Sequence, residues 1–304
     1  MSESWREKAQ ILNEFVLKII AMAFMCLDHI GVFLLAYKGA NNAVALVFRA
    51  IGRLAFPLFA FMLAEGMRKS RHKGKYIIRL AFMWALVTAA QLILYYCFNA
   101  SAIASSNNAF TDLLLSALFI YCLSELKGAK KALAILPCSI VLVSYAMQVC
   151  SVNGIFESSF PSFIYPGYSL YGFALITLIY YSKYLIDSFS AKCLDGSGQS
   201  LEAFQETKRY QSLINTASVT VLFIITLIGW GLSYLPSFQF DVIAMQAQGE
   251  GMVGQTWCLL AIIPLLLYNG KRGIDGKAFR VATYAFYPAH LAIIFGIFYL
   301  IFEL

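Results

Sequence analysis

Charged side chains are scarce in this chain. Only 13% of its 304 residues are Asp, Glu, Lys or Arg, whereas 60% are hydrophobic, and the mean hydropathy is +0.71. A soluble domain carries about 25% charged residues, and no polar stretch here is long enough to build one. The composition therefore excludes an ordinary soluble protein. It predicts a polytopic integral membrane protein of all-α class, because helices satisfy their backbone hydrogen bonds internally.

Paired cysteines are also missing. The chain has seven cysteines, but none belongs to a C-x-x-C pair and most lie inside apolar runs. The ligand spacing of a metal site is therefore absent, and we expect no metal cofactor. Buried free thiols are the simplest interpretation. A thioester-forming Cys26 is the alternative, because it precedes His29 by three residues and so shares its helix face.

Long apolar runs are what the sequence has in quantity. A helix needs about 20 mainly apolar residues to cross the hydrocarbon core of a bilayer. We predict about nine spans in a single transmembrane domain, residues 1–304. The first is too long for a signal peptide and lacks a small-residue cleavage site. The eighth is short, with Gly251 and Gly254 near its start, and is a candidate for a broken or re-entrant segment. The predicted spans are 15–37, 44–67, 76–98, 110–126, 131–150, 168–187, 213–235, 251–268 and 281–303.

The basic residues predict the orientation of these spans. A net charge of +7 raises the question of nucleic acid, but Lys and Arg lie almost wholly in the short loops, which is typical of membrane topology. With the N-terminus in the cytoplasm, the 23 basic residues fall on inner segments except Lys38, Arg49 and Arg53. The reverse orientation destroys this sorting. We therefore predict a cytoplasmic N-terminus, contact with the lipid bilayer, and no nucleic-acid partner.

Several ionisable residues lie inside the predicted spans. Asp28 and His29 are adjacent in the first span, Arg53 is near the middle of the second, and His290 is near the middle of the ninth. At the rise of an α-helix, all four lie within about two turns of one depth. Ionisable groups in hydrocarbon are costly and usually face the interior of a bundle at a working site. We therefore expect them to surround one polar cavity.

Purely structural interpretations stand beside this one. Asp28 can neutralise Arg53 or Arg49 as a structural ion pair, and His29 can be a satisfied core histidine. Arg49 can instead extend to the outer interface along its own apolar stem.

Purely structural interpretations also exist for polar residues in other predicted spans and loops. His290 can cap a bend at Pro288, where the missing amide leaves a carbonyl without its helical donor. Glu65 and Asp112 are interpreted as boundary residues near the inner and outer interfaces. Residues 201–210 (LEAFQETKRY) have the composition of a helix on the membrane surface.

Four strings of the sequence together resemble the TraX family of membrane proteins: LKIIAMAFMCLDHIG, GRLAFPLFAFMLAEGMRKSRHKGKYIIRL, YNGKRG and YAFYPAHLAII. That family is associated with N-terminal acetylation of conjugative pilin and is grouped with the wider transmembrane acyltransferases. The resemblance implies acetyl-CoA as the donor, a catalytic histidine in the membrane, an acceptor on the far side, and a bacterial cell membrane. The positions that match are Asp28, His29, Arg53 and His290, with Pro57 and Pro288 as residues that shape the helices.

The chemistry of acyl transfer fits those residue types. Transfer from a thioester needs a base to take the proton of the acceptor, and positive groups at the developing oxyanion. His29 is the candidate base, with Asp28 supporting it or holding Arg53, and Arg53 or His290 can polarise the thioester carbonyl.

The inner basic loops are candidates for holding the phosphates of CoA. Arg and Lys bind phosphate well, although the positive-inside rule alone also accounts for their presence. The candidate phosphate-binding residues are Arg68, Lys69, Arg71, Lys271, Arg272 and Lys277.

The sequence therefore predicts a membrane-embedded acetyltransferase. It would move acetyl from cytoplasmic acetyl-CoA to an amine or hydroxyl on the extracytoplasmic side, on a pilin-like peptide or a glycan. A proton-coupled transporter would cluster His, Asp and Arg at mid-membrane in the same way. A non-catalytic assembly factor would need no such cluster.

Overall fold

Helices make up nearly all of the computed structural model, which describes residues 5–38, 43–97, 108–152, 166–196, 198–232, 234 and 254–302. Within these residues there is no β-strand, and only two isolated β-bridges occur. Short 3-10 helices cover Gly128–Ala134 and Thr256–Ala261. The α-helices are α1 (Trp5–Lys8), α2 (Glu14–Lys38), α3 (Ala43–Gly52), α4 (Ala55–Lys69), α5 (Lys73–Cys97), α6 (Ala109–Glu125), α7 (Ile135–Val152), α8 (Ser169–Leu194), α9 (Leu201–Gln205), α10 (Lys208–Leu232), α11 (Ile262–Leu266) and α12 (Lys277–Phe302).

Among the residues that the structure describes, six helical segments are long and apolar enough to cross a membrane. They are Glu14–Leu35, Ala43–Lys69, Lys73–Ile93, Gly128–Cys150, Lys208–Leu232 and Lys277–Ile301. The prediction of an all-α polytopic membrane protein is thereby confirmed. The exact count of nine and the cytoplasmic N-terminus stay predictions.

The other three predicted spans also fall on helices. Predicted spans 110–126 and 168–187 correspond to α6 and α8. In the eighth, Thr256–Leu266 forms a shorter apolar helical segment, while Gly251 lies outside the described residues. Large parts of the predicted outer segments 99–109, 151–167 and 236–250 lie outside them as well.

The second predicted span is interrupted near its middle. Helix α3 ends at Gly52 and α4 begins at Ala55. Pro57 accounts for the interruption, because its ring lacks an N–H and clashes with the carbonyl of the residue four positions earlier, Arg53. The interruption places Arg53 between two helices at mid-span.

The predicted surface helix at 201–210 is also divided. Helix α9 ends at Gln205, and Thr207 caps the start of α10, because its hydroxyl oxygen accepts a hydrogen bond from the Tyr210 amide at 3.1 Å. A threonine hydroxyl commonly satisfies the first free amides of a helix in this way. The polar segment is therefore one short helix followed by the first turn of α10.

Two compact units are distinguishable. The first comprises the described residues within 1–62, 178–224 and 257–304, and the second comprises those within 63–177 and 225–256. In the first unit, α2 packs against both α3 and α12. The contacts with α12 include Phe15 with Phe279, whose ring centroids are 4.6 Å apart, and Phe33 with Phe298 at 5.2 Å.

The first unit also holds the loop of residues 268–273 (YNGKRG) against the start of α2. The Asn269 amide donates to the Leu12 carbonyl at 2.8 Å, and the Glu14 amide donates to the Lys271 carbonyl at 2.8 Å. Backbone bonds of this kind fix the path of a loop that side-chain periodicity does not describe. The loop is thus an ordered element tied to the N-terminal segment.

The second unit is centred on buried polar contacts around Asp112. Its carboxylate accepts from the amides of Gly167 at 2.6 Å and Tyr168 at 3.1 Å, and its side chain is buried. Next to it, the Trp84 indole donates to Thr111 at 3.1 Å. Because a buried carboxylate needs hydrogen-bond donors, we interpret Asp112 as a residue that holds the start of α8.

Candidate functional site

The candidate site begins with the close approach of α2 and α3 in the first unit. A Cβ atom added to Gly31 would lie 2.9 Å from the Ala45 carbonyl oxygen, and one added to Gly52 would lie 2.3 Å from Asp28 Cβ. Real Cβ atoms do not tolerate such distances, so only glycine allows the two backbones to approach this closely, as small residues do between membrane helices. This close approach places Asp28 in contact with α3.

A buried ion pair joins the two helices. Asp28 Oδ2 accepts from Arg49 Nη1 at 2.7 Å, with side-chain exposures of 15% and 3%. The structural ion pair expected of Asp28 therefore forms with Arg49. Arg49 does not extend to an outer interface, because its guanidinium is enclosed and engaged by the carboxylate.

Arg53 lies four residues after Arg49, in the turn between α3 and α4. It is 1% exposed, and its charge acts on Asp28 together with that of Arg49. We call Asp28, Arg49 and Arg53 the buried charge cluster. Two guanidinium groups and one carboxylate give the cluster an excess of positive charge, which is costly in a low-dielectric interior and favours a negative group nearby.

The next residue of α2 belongs to a second polar contact. His29 Nδ1 and His290 Nε2 are 2.9 Å apart, a hydrogen bond between residues 261 positions apart in sequence. The two rings lie at one depth by span position, and the structure brings them into direct contact. We call them the histidine pair.

His290 is fixed by its own helix. Its Nδ1 lies 2.8 Å from the Phe286 carbonyl oxygen, its ring stacks on Phe286 at a centroid distance of 4.9 Å, and it is 5% exposed. The carbonyl that Pro288 deprives of its donor is that of Tyr284, four residues earlier. His290 therefore does not cap the bend at Pro288 as one interpretation proposed.

Asp28 and His29 serve different contacts although they are neighbours. Successive side chains on a helix point about 100° apart, so Asp28 meets α3 and His29 meets α12. A triad in which Asp28 orients the His29 ring is therefore not what the structure forms. His290 is the hydrogen-bond partner of that ring, and Asp28 acts on His29 only through its charge.

Arg49 is the residue that the sequence analysis left out of the candidate site. Its position four residues before Arg53 placed both guanidiniums on one helix face, which was the signal that was available. A hydropathy pattern does not show that Gly31 and Gly52 admit a second helix at that depth, so the sequence left two alternatives open for Arg49, an ion pair with Asp28 and an extension to the outer interface.

The basic residues in the last turn of α4 are engaged within the protein. Glu65 accepts from Arg68 at 2.8 Å and from Lys69 at 2.8 Å, and the Glu65 and Arg68 side chains are 7% and 5% exposed. Arg71, by contrast, is exposed. Glu65 is thus the buried partner of two cations, and Arg71 has the accessibility that a phosphate would require.

The basic segment before α12 is accessible. Lys271, Arg272 and Lys277 are exposed. Arg272 lies 3.6 Å from Asp275, which also pairs with Arg280 at 3.0 Å. The ordered loop 268–273 therefore presents basic side chains from a fixed backbone.

The family model of TraX, described as TraX protein, matches residues 14–165. That range contains α2, α3, α4 and the whole of the buried charge cluster. His290 and the loop 268–273 lie beyond it.

A curated relative matches over a shorter stretch. The chain is 41% identical over 70 residues to a probable fimbrial assembly protein, FimC of serogroup H1, from Dichelobacter nodosus. The match covers 23% of this chain and 28% of that relative, so the chain spans well under half of the relative's length. No solved structure matches the chain.

Proposed function

The chain belongs to the TraX family, and we propose that it is a membrane-embedded acetyltransferase that uses acetyl-CoA, with His29 as the general base. The observation that carries the proposal is the hydrogen bond between His29 and His290 at 2.9 Å, next to the buried charge cluster. An imidazole held in place beside buried cations is the pairing of base and oxyanion stabiliser that acyl transfer needs.

The proposed step is direct transfer. The amine or hydroxyl of the acceptor attacks the thioester carbonyl, and His29 takes its proton. The new C–N or C–O bond forms, the C–S bond breaks, and its electron pair leaves on the CoA sulfur, which receives the proton from the histidinium. Arg53 stabilises the oxyanion, supported by the positive N-terminal end of α4. The negative charge of Asp28, which Arg49 binds directly, acts on Arg53 as well.

The proposed topology keeps the donor on the inner side. With nine spans and a cytoplasmic N-terminus, the CoA phosphates meet Lys271, Arg272 and Lys277 of the first unit, whose side chains are exposed. In the second unit Arg71 is exposed as well, whereas Glu65 already engages Arg68 and Lys69.

The proposed acceptor is a pilin-like peptide on the extracytoplasmic side of a bacterial cell membrane. Support comes from the family and from the partial likeness to a protein named for fimbrial assembly. A glycan acceptor is the other outcome, since the chemistry of the base does not distinguish an amine from a hydroxyl.

A proton-coupled transporter is the second candidate. Transporters bind substrate where a spanning helix is discontinuous, and the interruption between Gly52 and Ala55 is of that kind. Dependence on acetyl-CoA separates the two candidates, because a transporter transfers no acetyl group.

The test is transfer of labelled acetyl from acetyl-CoA to the acceptor fraction of membranes. We expect His29→Ala to lower the transfer rate by about 10²- to 10⁴-fold, as loss of a general base does, while CoA binding and folding are retained. His72→Ala is the matched control, because His72 is exposed and outside the site, and we expect it to be neutral.

A second variant tests the donor site in the same assay. Arg272→Ala/Lys277→Ala should raise the KM for acetyl-CoA with little change in kcat, and added salt should weaken CoA binding. Wild-type turnover by folded His29→Ala would remove His29 from the mechanism. Wild-type protein that is folded but neither binds CoA nor transfers acetyl would favour the transporter.

A further inference from the structure

The two ring nitrogens of His290 face different kinds of partner. Nδ1 lies 2.8 Å from the Phe286 carbonyl oxygen, and Nε2 lies 2.9 Å from His29 Nδ1. A carbonyl oxygen can only accept a hydrogen bond, so Nδ1 of His290 carries a proton. In the neutral ring, Nε2 then has none and can only accept.

The protonation of His290 determines that of His29. Because His290 Nε2 accepts, His29 Nδ1 donates, and the neutral His29 ring has its lone pair on Nε2.

We propose that His290 is a positioning residue that holds His29 in the tautomer protonated at Nδ1, so that Nε2 of His29 is the atom that takes the acceptor's proton. This rests on the proposed function. The arrangement gives His290 the role that a carboxylate has in a serine-protease triad, where the partner of the base fixes its tautomer and orientation. A neutral partner avoids placing a second carboxylate in the membrane.

Packing keeps His290 in this position. The ring is 5% exposed, stacks on Phe286 with an interplanar angle of 12°, and meets Tyr287 at a centroid distance of 5.5 Å. A ring held on both sides cannot easily exchange Nδ1 and Nε2 by flipping. The Phe286 carbonyl is therefore a persistent acceptor, and the tautomer of His29 is a consequence of α12.

Nitrogen NMR of ring-labelled histidine tests the tautomers directly. The chain has only three histidines, and exposed His72 is an internal reference that should favour the Nε2-protonated form of free imidazole. In folded protein at alkaline pH, we expect Nδ1 protonated on both His29 and His290. His72→Gln and His290→Gln assign the signals. A His29 ring protonated at Nε2 would overturn the proposal.

Two substitutions separate positioning from mere packing. In His290→Gln the side-chain carbonyl oxygen can replace Nε2 as acceptor, so His29 should keep its Nδ1-protonated spectrum and most of its transfer rate. His290→Ala removes the acceptor. We then expect a mixture of His29 tautomers and a kcat lower by about 10- to 100-fold, the size of effect seen when the outer partner of a metal-ligating histidine is removed, at unchanged KM for acetyl-CoA.

The outcomes for function and for tautomer are independent. Folded wild-type protein with both Nδ1 protons but no acetyl transfer would refute the proposed function and leave the pairing intact. Acetyl transfer by protein whose His29 carries its proton on Nε2 would refute the pairing alone. His290→Gln as impaired as His290→Ala, with both variants folded, would also refute the positioning role.

Discussion

The neighbouring residues Asp28 and His29 of α2 contact different helices. Asp28 compensates charge on α3, and His29 contacts His290 on α12. The separation follows from the angle of about 100° between successive residues of a helix. It means that substitutions at adjacent positions should have different consequences, one mainly for stability and the other mainly for turnover.

We expect Asp28→Asn to destabilise the protein strongly. It leaves Arg49 and Arg53 buried without their carboxylate, and removing one partner of a buried pair costs about 3–5 kcal/mol. Glu14→Gln is the matched control on the same helix, because Glu14 pairs with Lys18 at 2.7 Å where both side chains are more than 20% exposed. There we expect about 0–1 kcal/mol.

Denaturant unfolding of the purified variants measures the difference. Adding Arg49→Met to Asp28→Asn should restore part of the stability, because one uncompensated cation is then gone. Equal stability of Asp28→Asn and Glu14→Gln would show that the buried charge cluster does not depend on its carboxylate.

At the scale of elements, the contact between α2 and α3 depends on a glycine. We expect Gly52→Ala to destabilise the protein, because its Cβ would lie 2.3 Å from Asp28 Cβ, and overpacking of this kind costs about 1–3 kcal/mol. It should also lower acetyl transfer by displacing Asp28.

Gly296→Ala on α12 is the matched control. Nothing lies within 4 Å of the Cβ that it would introduce, and Gly→Ala inside a helix stabilises by about 0.5–1 kcal/mol where space allows. The two changes should therefore shift the free energy of unfolding in opposite directions. Gly52→Ala with wild-type stability and activity would contradict the close packing.

The elements also show where sequence reasoning succeeded and failed. The length of the apolar runs located the helices, because a helix that crosses a bilayer needs about 20 apolar residues regardless of which other helices it packs against. Apolar length did not reveal the interruption before Pro57, because hydropathy does not register the backbone amide that proline lacks. It also did not decide between the two environments considered for Arg49, the ion pair with Asp28 and the outer interface. The position of each residue along its own span was enough to place His29 and His290 at one depth. The hydrogen-bond partner of each ring nitrogen depends on how α2 and α12 pack, which the sequence does not show.

At the scale of the whole molecule, the proposed topology remains to be measured. In a variant whose seven cysteines are replaced, a cysteine at position 72 should react only from the cytoplasmic side. One at position 105, which lies outside the described residues, should react only from the outside. We expect this orientation because loops rich in Lys and Arg stay on the cytoplasmic side of the membrane.

Membrane-impermeant thiol reagents on intact cells and on inverted vesicles give the measurement. Reaction of both positions from one side would refute the nine-span map, although the six segments long and apolar enough to cross would still require a membrane protein. The same cells provide the expression control, since both variants carry a single cysteine on an otherwise identical chain.

The sequence separation of the histidine pair has a consequence for synthesis. The Asp28–Arg49 contact joins residues 21 positions apart, whereas His29 and His290 are 261 apart. Chains are made from the N-terminus, so the charge pair can form once two helices have emerged from the ribosome. The partner that sets the tautomer of His29 arrives only with α12. A nascent chain can therefore form the Asp28–Arg49 ion pair early, but His29 is oriented by His290 only after α12 has been made. An unfinished chain is thus expected to lack the proposed acetyl-transfer activity.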